Sequence, residues 1–347
     1  MRSLRIAIGA PHWVGDLVMA TPVLEAALSS EGVREVHVLC REHLAPLLAG
    51  GPLEPRLRTH RSSENEVALL REIAPDAVLL LSNSFGSAWR AWRARVPIRA
   101  GSALHGRRWL LTHAVVPPTL GGRRFPIPTA HLLRDVGALL GIQAPNLHPR
   151  LHVSAQECEQ QRGVLAGLGL GRAEPYILCT PGAAFGAAKL WPPEHFARAL
   201  DLLHAQRGWR GVVSGAPGEE PQIEAVVSAA KSPVLSLASA RRTLGTLKAL
   251  VHGAELVLVG DSGPRWVAAA FDVPCVSVLG PNIPELTASS LELCEVVRLQ
   301  GLACSPCARR RCPLGHHRCM RDLAPETVVA AAERVLARSM PRRGVAV

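Results

Sequence analysis

The stretch ELVLVGDSGPRWVAAAFDVPCVSVLGP, residues 255–281, decides the fold of this chain. Leu256–Val259 is a short apolar run of β type, and Gly260–Pro264 interrupts it. A helix of small residues follows over Val267–Phe271, and a second apolar run begins at Cys275. This order of strand, glycine-rich turn, helix and strand predicts a βαβ unit with parallel strands.

The turn of this unit predicts an anion-binding site. Backbone N–H groups at a helix start have no partner inside the helix, so they favour an anionic group such as a diphosphate. Ser262 is the predicted cap of the helix, Gly263 follows it in the turn, and Pro264 fits the first helical turn. Asp261 would repel a phosphate, so we expect it to orient backbone N–H groups or to contact a sugar hydroxyl. An ordinary capped turn without a ligand explains the same residues equally well.

Apolar runs of this kind recur along both halves of the chain, with helical segments between them. Because most runs do not alternate with polar residues, they predict parallel sheets that are buried on both faces. The predicted strands are Leu4–Gly9, Val36–Cys40, Ala77–Leu81, Tyr176–Thr180, Gly211–Gly215, Val234–Leu237, Leu256–Val259 and Cys275–Leu279. Gln143–Pro149 has the composition of a linker. We therefore predict an α/β protein with two Rossmann-like domains, residues 1–152 and 153–347, that face a central cleft.

Length and composition support two ordinary domains. The 347 residues suffice for two hydrophobic cores, and nine Cys are too few for a small disulfide scaffold. There is no run of 18 or more apolar residues that would predict a membrane span. The N-terminus begins like a signal peptide, but Gly9, Pro11 and Asp16 interrupt the apolar segment. We expect a cytoplasmic protein.

The basic residues are distributed unevenly along the chain. The formal charge is +11, and 36 of the 39 basic residues are Arg. The segment from Phe85 to Arg134 holds nine Arg and no Asp or Glu, which predicts an electropositive region facing nucleic acid, a lipid surface or a phosphorylated acceptor. A solvated basic face without a partner is the alternative. Residues 1–152 carry 18 basic and 11 acidic side chains, a net +7, and the rest carries +4, so the N-terminal half is the better host for an anionic acceptor.

Three further loops follow predicted strands and carry candidate functional residues. Asp16 lies between the first strand and the first helix, where it could accept a proton or simply cap the helix. Lys189, one of three Lys in the chain, lies in a loop with Gly182 and Gly186, which favours a point charge on a phosphate over an ordinary surface Lys. Glu219 could bind ribose hydroxyls, or it could only complement a helix dipole.

Four cysteines near the C-terminus form the pattern C-x2-C-x4-C-x6-C. They are Cys304, Cys307, Cys312 and Cys319. The first pair has the spacing of metal ligands, but the later intervals are short for a zinc ribbon. Free thiols or a bracing disulfide are the favoured interpretation, and cytosolic conditions favour thiols.

Several enzyme classes lose support from what the sequence omits. It contains no Asp-x-Asp pair for a divalent metal, no Walker loop and no Gly-x-Ser-x-Gly elbow. A metal-dependent transferase, a P-loop NTPase and an α/β-hydrolase are therefore disfavoured.

Together these stretches resemble the ADP-heptose:lipopolysaccharide heptosyltransferases of glycosyltransferase family 9. The resemblance rests on motifs that span nearly the whole chain in the family's order. They are Trp13-Val14-Gly15-Asp16, Pro181-Gly182-Ala183 with Phe185-Gly186, Lys189-Leu190-Trp191-Pro192, Asp261-Ser262-Gly263 with Ala268-Ala269-Ala270, and Cys312-Pro313-Leu314-Gly315-His316-His317-Arg318-Cys319-Met320.

The resemblance implies a GT-B architecture and an inverting, metal-independent transfer without a cofactor. The donor would be ADP-L-glycero-D-manno-heptose and the acceptor the heptosyl-Kdo-lipid A core, with an N-terminal acceptor domain and a C-terminal nucleotide-sugar domain. Asp16 would be the general base and Lys189 would neutralise the diphosphate. The donor would also contact Glu219, Gly186, Asp261, Ser262 and Gly263.

The acceptor's phosphates and carboxylates would contact Arg107, Arg108, Arg123 and Arg124, the first choices from the arginine-rich segment. We expect a monomer that touches the anionic inner membrane surface and binds no nucleic acid.

One position departs from the family's pattern. Trp266 stands three residues after the Gly of Asp261-Ser262-Gly263, where the family usually has His. An indole can only donate a hydrogen bond, whereas an imidazole can also accept one. This keeps two alternatives open: a non-catalytic or altered-donor nucleotide-sugar binding protein of the same fold, or a nucleotide-sugar epimerase.

Overall fold

The structure is a computed structural model, and it describes residues 3–120 and 123–339. The chain forms two compact units. The first comprises Met1–His152 together with Glu285–Ser289, and the second comprises Val153–Pro284 and Ser290–Val347.

The first unit is built on a six-stranded parallel sheet with the strand order β3-β2-β1-β4-β5-β6. The strands are β1 (Leu4–Gly9), β2 (Val33–Arg41), β3 (Leu57–His60), β4 (Ala77–Leu80), β5 (Ile98–Ser102) and β6 (His113–Val115). A separate antiparallel pair follows, formed by β7 (Thr119–Leu120) and β8 (Arg123–Arg124).

Within the described residues of the first unit, five α-helices accompany this sheet. They are α1 (Val14–Leu28), α2 (Ala45–Leu48), α3 (Ser63–Ile73), α4 (Phe85–Arg93) and α5 (Thr129–Ala138). Residues of β2, β4 and of helices α3 and α4 form one shared apolar cluster. Helix α1 buries its own apolar residues and packs against α5.

The second unit repeats the same topology. Its parallel sheet has the order β11-β10-β9-β12-β13-β14. The strands are β9 (Tyr176–Thr180), β10 (Arg210–Val213), β11 (Val234–Ser236), β12 (Leu256–Gly260), β13 (Cys275–Val278) and β14 (Cys294–Val297). The helices are α6 (Ala155–Gly167), α7 (Pro193–Arg207), α8 (Glu220–Ala229), α9 (Leu244–Gly253), α10 (Pro264–Ala270), α11 (Arg318–Arg321) and α12 (Pro325–Arg338).

The central strands of both sheets are buried on both faces. Ile6 and Ile8 of β1 and Val257 and Leu258 of β12 are fully excluded from solvent. Apolar residues at consecutive positions of such a strand stabilise the folded state, since each fully buried aliphatic side chain contributes about 1.5–3 kcal/mol to the free energy of folding. The prediction of two parallel sheets flanked by helices is confirmed.

Helix α4 and strand β14 were not predicted, and the cap of α10 was predicted wrongly. The cap residue of α10 is Gly263, no side-chain bond caps it, and Ser262 lies one residue further out, so the assignment of Ser262 as cap is wrong. Pro264 does begin the helix, as its fixed φ angle favours.

Membrane-spanning helices are absent from the described part of the chain. None of its helices has both the length and the apolar character needed to cross a bilayer.

Arg107 ties three elements of the first unit together. The side chain is fully buried and donates from Nε to the Ser102 carbonyl oxygen at 2.8 Å, where β5 ends. It also donates from Nη1 to the carbonyl oxygens of Ser82 (2.5 Å) and Ser84 (3.0 Å), which lie between β4 and α4. Burial lowers the pKa of Arg107 to about 10, so the guanidinium stays charged at neutral pH.

We expect Arg107→Met to destabilise the first unit by at least about 3 kcal/mol, because several buried acceptors would lose their donor. The free energy of unfolding, measured by urea denaturation, checks this. The neighbouring Arg108 is exposed, so Arg108→Met is the matched control and should change stability by less than about 0.5 kcal/mol. Equal effects of the two substitutions would show that the Arg107 bonds do not hold the unit together.

Candidate active site at the strand ends

In each sheet the order in which strands are added reverses at one point, between the first and the fourth strand of the unit. In the first unit β1 and β4 are neighbours, and in the second unit β9 and β12 are neighbours. Loops that leave the carboxyl ends of such neighbouring strands diverge to opposite faces and leave a crevice, which is where open α/β sheets bind their ligands. Asp16 follows β1, Lys189 follows β9 and Asp261 follows β12.

A buried ion pair joins the two loops at this point of the second unit. The Lys189 ammonium lies 2.5 Å from the Asp261 carboxylate, and the two side chains are 11% and 8% exposed. The Asn282 amide donates to the same Asp261 oxygen, Oδ2, at 2.8 Å. Asn282 follows β13, so three adjacent strand ends contribute to one polar cluster. This arrangement holds the ammonium in one place, which suits a fixed positive charge for an anionic ligand.

Two cations lie against the ring of Phe185 in the same loop. The Lys189 ammonium is 4.7 Å from the ring centroid and the Arg310 guanidinium is 5.4 Å from it. Such contacts attract a cation through the quadrupole of the ring, so Phe185 helps to position both charges. A Cβ atom on Gly186 would lie 2.6 Å from the Arg310 carbonyl oxygen, so the close approach of this backbone requires glycine there. Gly186, predicted to contact a nucleotide sugar, has this packing role in the structure.

Glu219 lies in the next strand-end loop, after β10, and packs against the loop after β9. Its carboxylate accepts a hydrogen bond from the Ala216 N–H at 2.8 Å. A Cβ atom on Gly182 would overlap this carboxylate, so glycine at 182 is what admits Glu219. Burial raises the pKa of Glu219, against the lowering effect of the Ala216 N–H. A half-buried carboxylate with unused acceptor capacity can bind a hydroxyl donor.

Trp266 is buried in helix α10 rather than lying in an open site. Its side chain is 5% exposed, and the Arg265 guanidinium lies 4.4 Å from the ring centroid. The position therefore contributes packing and a cation–π contact with its neighbour.

Asp16 occupies the first turn of helix α1 in the other unit. The cap residue of α1 is Trp13, so the alternative in which Asp16 caps this helix is wrong. A carboxylate in the first turn is stabilised by the positive end of the helix dipole. Trp13, the last residue before α1, is 50% exposed. Asp16 thus lies at the strand-end position where a catalytic carboxylate was predicted.

The four predicted acceptor arginines have different environments. Arg107 is fully buried and bonded to backbone carbonyls, so its assignment to an acceptor site is not compatible with the geometry. Arg108 is exposed, and its Nη1 donates only to the Leu111 carbonyl oxygen at 3.2 Å. The side chains of Arg123 and Arg124 lie outside the described part of the structure. Arg108 is therefore the described member of the set that can meet an anion.

The C-terminal cysteines gather around one cavity of the second unit. Cys304, Cys307, Cys312 and Cys319 all line it, with His316 and His317. All four cysteines are free thiols, as the sequence favours. Burial, together with the charges of neighbouring thiols, raises the pKa of Cys319 to about 11. Within the described residues, no group of three or more His, Cys, Asp or Glu side chains is placed to hold a metal ion.

This cysteine segment braces the loop that carries Lys189. His317 donates from Nε2 to the Ala188 carbonyl oxygen at 2.8 Å, and the Ala188 N–H donates to the Arg310 carbonyl oxygen at 3.0 Å. The Trp191 indole donates to the Leu323 carbonyl oxygen at 3.1 Å. The position of the ammonium therefore depends on a segment more than a hundred residues further along the chain.

Sequence reasoning missed Asn282, Phe185 and Arg310 as members of this cluster. Asn282 directly follows a predicted strand, so the strand-end rule that selected Asp261 would also have selected it. Phe185 lies in a quoted family motif but was given no role, and Arg310 carried no signal, because its contact with the ring arises from the fold of the cysteine segment against the Lys189 loop.

Two six-stranded parallel sheets of this strand order, each flanked by helices, have the architecture of the GT-B class of glycosyltransferases. The chain belongs to glycosyltransferase family 9 (heptosyltransferase), whose family model matches residues 68–318.

Relatives of this chain are also named as heptosyltransferases. Lipopolysaccharide heptosyltransferase 2 of Salmonella typhimurium is 26% identical over 353 residues, which cover 96% of this chain and 99% of the relative. Lipooligosaccharide heptosyltransferase 2 of Campylobacter jejuni is 32% identical over 164 residues, and this match spans half the length of that relative (50%). The structure of the E. coli ADP-heptose lipopolysaccharide heptosyltransferase II has the same fold, with a TM-score of 0.74 at 24% identity over 96% of this chain and 99% of the other.

The buried ion pair gives a testable stability pattern. Asp261→Asn should destabilise the second unit by about 3 kcal/mol, because it leaves the Lys189 ammonium buried without its counter-charge. Adding Lys189→Met to this variant should restore most of the loss, since both charges are then gone. Urea denaturation of the two single variants and the double variant measures the coupling.

The control for this cycle is an exposed ion pair. Arg172 and Glu159 lie 2.6 Å apart with side chains 70% and 53% exposed. Glu159→Gln should therefore change stability by less than about 0.5 kcal/mol. A loss in Asp261→Asn no larger than in this control would show that the Lys189–Asp261 contact is not energetically coupled.

Proposed function

We propose that this protein is an ADP-heptose:lipopolysaccharide heptosyltransferase of the heptosyltransferase II type. It transfers L-glycero-D-manno-heptose from the ADP-linked donor to the heptosyl-Kdo-lipid A inner core. The observation that carries the proposal is the buried Lys189–Asp261 pair at the switch point of the second sheet, in a chain of family 9. The E. coli structure of the same fold is described as an ADP-heptose enzyme, which supports the choice of donor.

The second unit, within residues 153–347, binds the donor in this proposal. The Lys189 ammonium neutralises the diphosphate, and Asp261 keeps the ammonium oriented toward it. The Glu219 carboxylate accepts hydrogen bonds from ribose hydroxyls. The Gly263 N–H, beside the ion pair, adds a donor to the phosphate oxygens, and Ser262 shapes this turn because its own N–H donates to the Gly260 carbonyl oxygen at 2.8 Å. Lys189 thus supplies the positive charge that many transferases take from a bound metal.

The first unit, within residues 1–152, binds the acceptor. Arg108, with Arg123 and Arg124, contacts the phosphates and carboxylates of the lipid-linked core. Arginine suits this task because its planar guanidinium can form two parallel bonds with a carboxylate or phosphate. The protein acts as a monomer at the inner face of the cytoplasmic membrane.

The transfer proceeds by direct displacement with inversion at the anomeric carbon. The acceptor hydroxyl oxygen attacks this carbon while its proton passes to the Asp16 carboxylate. The new carbon–oxygen bond forms as the bond between the anomeric carbon and the ADP oxygen breaks. The bonding pair leaves on the β-phosphate of ADP, where the Lys189 ammonium stabilises the developing charge. Asp16 and Lys189 are the two catalytic residues of this proposal.

A second candidate function is nucleotide-sugar binding with an altered donor or without transfer. Trp266 favours it, because a buried indole at this position cannot accept a hydrogen bond from a ligand as the family's His could. The remaining family motifs are intact in this chain, and they favour the active heptosyltransferase.

The decisive experiment is single-turnover transfer from ADP-heptose to a heptosyl-Kdo-lipid A acceptor, with and without EDTA. We expect equal rates in both samples, because Lys189 and not a divalent metal balances the diphosphate. A mass shift of the acceptor by one heptose measures the transfer. Loss of transfer in EDTA that returns with added divalent metal would contradict metal independence. ADP binding without any transfer would favour the second candidate function and lead to a screen of other donors and to Trp266→His.

The role of Asp16 predicts a kinetic signature. Asp16→Asn should lower kcat by about a hundredfold or more, because the amide cannot accept the hydroxyl proton. ADP binding, measured by calorimetry, should stay within about twofold, since Asp16 belongs to the acceptor-binding unit. Asp135→Asn, an exposed carboxylate on α5, is the matched control and should keep full activity. Normal turnover with weakened ADP binding in Asp16→Asn would move Asp16 from catalysis to donor binding.

A further inference from the structure

Four aromatic side chains of the first unit form a continuous exposed surface, here named the aromatic ladder. Trp109 and Phe85 have ring centroids 6.1 Å apart, Phe85 and Trp89 are 6.5 Å apart, and Trp89 and Trp92 are stacked at 4.9 Å. The exposed fractions are 65% for Trp109, 42% for Phe85, 37% for Trp89 and 46% for Trp92. Large aromatic side chains are usually buried in folded proteins. Four adjacent exposed rings therefore indicate a surface that binds a partner.

Helix α4 carries apolar residues on two faces, and only one of these faces is covered. Ala88 and Ala91 are fully buried against the sheet. Phe85, Trp89 and Trp92 are spaced four and three residues apart, so they share a second face over about 10 Å of helix, roughly 100° round the axis from the face of Ala88 and Ala91. A surface helix normally turns charged and polar residues outward. The outward aromatic face is therefore not explained by the packing of this unit.

The exposed charges beside the aromatic ladder are positive. Arg90 and Arg93 of α4 are paired with Glu66 and Glu64, at 2.6 Å and 2.8 Å, and so belong to the fold. Arg95 and Arg108 are exposed near the two ends of the ladder, and no acidic residue occurs in the sequence between Phe85 and Arg134. The surface thus combines exposed indoles with an uncompensated positive charge.

This combination fits the polar–apolar boundary of an anionic lipid bilayer. Tryptophan is enriched at that boundary, because its ring is apolar and its N–H still reaches polar headgroups. Arginine is attracted to anionic headgroups and holds an amphipathic surface there. A second copy of this chain would instead bring like charges together, which opposes association through the same surface.

The ladder begins at the edge of the sheet that also carries Asp16. Gly9 at the end of β1 and Leu80 at the end of β4 are direct partners in parallel strands, so both following loops leave the same edge. The loop after β1 leads to Asp16, and the loop after β4 leads to Phe85. A lipid surface held against the ladder would therefore lie beside the loop proposed to activate the acceptor.

We infer that the aromatic ladder, with Arg95 and Arg108, is the surface through which the first unit docks onto an anionic bilayer. The rings of Trp89, Trp92 and Trp109 enter the headgroup region, and the two arginines contact anionic headgroups. This inference deepens the proposed function and rests on it for its purpose, because a lipid-linked acceptor must be reached at the membrane surface.

Vesicle binding of the full chain, measured without donor or acceptor, tests the inference. Vesicles of phosphatidylethanolamine and phosphatidylglycerol should bind the protein, and vesicles of phosphatidylcholine should bind it at least about tenfold more weakly. Raising the salt concentration should weaken the binding, because headgroup attraction is screened. With brominated lipid in the vesicles, part of the tryptophan fluorescence should be quenched on binding.

The variant Trp89→Ser with Trp92→Ser and Trp109→Ser should lose vesicle binding by at least about tenfold and should lose the quenching by brominated lipid. All three rings are exposed, so the fold should be retained, which circular dichroism checks. Val164→Ser with Leu168→Ser removes exposed apolar groups from the second unit, 41% and 38% exposed, and should bind vesicles like the native chain. The single variant Trp109→Ser tests the most exposed ring separately.

Unchanged vesicle binding in the triple tryptophan variant would overturn the inference. A native chain that is dimeric in solution, with a monomeric triple variant and no vesicle binding, would overturn it in favour of an interface between copies.

Transfer to a soluble acceptor without acyl chains separates the test of membrane docking from the test of the proposed function. The triple variant should keep that transfer and lose transfer to the acceptor in vesicles, whereas failure of the native chain on both acceptors would contradict the proposed function itself.

Discussion

Each sheet of this protein is parallel and covered by helices on both faces, and this constraint decides where chemistry can occur. The central strands carry mostly apolar, buried residues, so a functional group on a sheet face would need a buried partner for its polar atoms. Only the strand ends reach solvent, and the order of strands opens a crevice at one carboxyl edge in each unit. Asp16 follows a strand that borders the crevice of the first unit, and Lys189 and Asp261 follow strands that border the crevice of the second unit.

The Lys189–Asp261 pair shows how such a crevice can hold a charge ready for a ligand. An ammonium that is 11% exposed has lost most of its hydration, and a carboxylate at 2.5 Å together with the Phe185 ring replaces it. A buried pair of this kind contributes little net stability, because desolvation of both charges offsets their attraction. Its value is orientation, since the ammonium is already held in one place for an anionic ligand. The contacts of His317 and Arg310 with Ala188 extend this orientation to the loop backbone.

The sequence was sufficient for elements whose pattern is local. Leu4–Gly9 and Tyr176–Thr180 were predicted to the residue, because a short apolar run is visible without tertiary information. Helix α4 was missed even though its residues have a clear helical period, with Phe85, Trp89 and Trp92 on one face and Arg90 and Arg93 on another. Its aromatic face is exposed, so the period does not mark a helix that packs this face on a core. Arg107 was misassigned for a related reason. Its partners are backbone carbonyls at the ends of β4 and β5, and a sequence contains no mark of where a carbonyl points.

The arginine-rich segment illustrates why a run of charge is ambiguous until it is folded. Its arginines divide by environment: Arg107 holds carbonyls inside the sheet edge, Arg90 and Arg93 neutralise glutamates of helix α3, and Arg99 donates to carbonyls of its own neighbourhood. A guanidinium used in this way is electrically compensated or geometrically enclosed, so it adds little to the field outside the protein. The positive surface is therefore smaller than the count of nine arginines implies, and among the described side chains Arg95 and Arg108 represent it. The aromatic ladder lies beside this positive surface. An apolar contact and a weak electrostatic attraction together can hold a protein at a lipid surface where either alone would not.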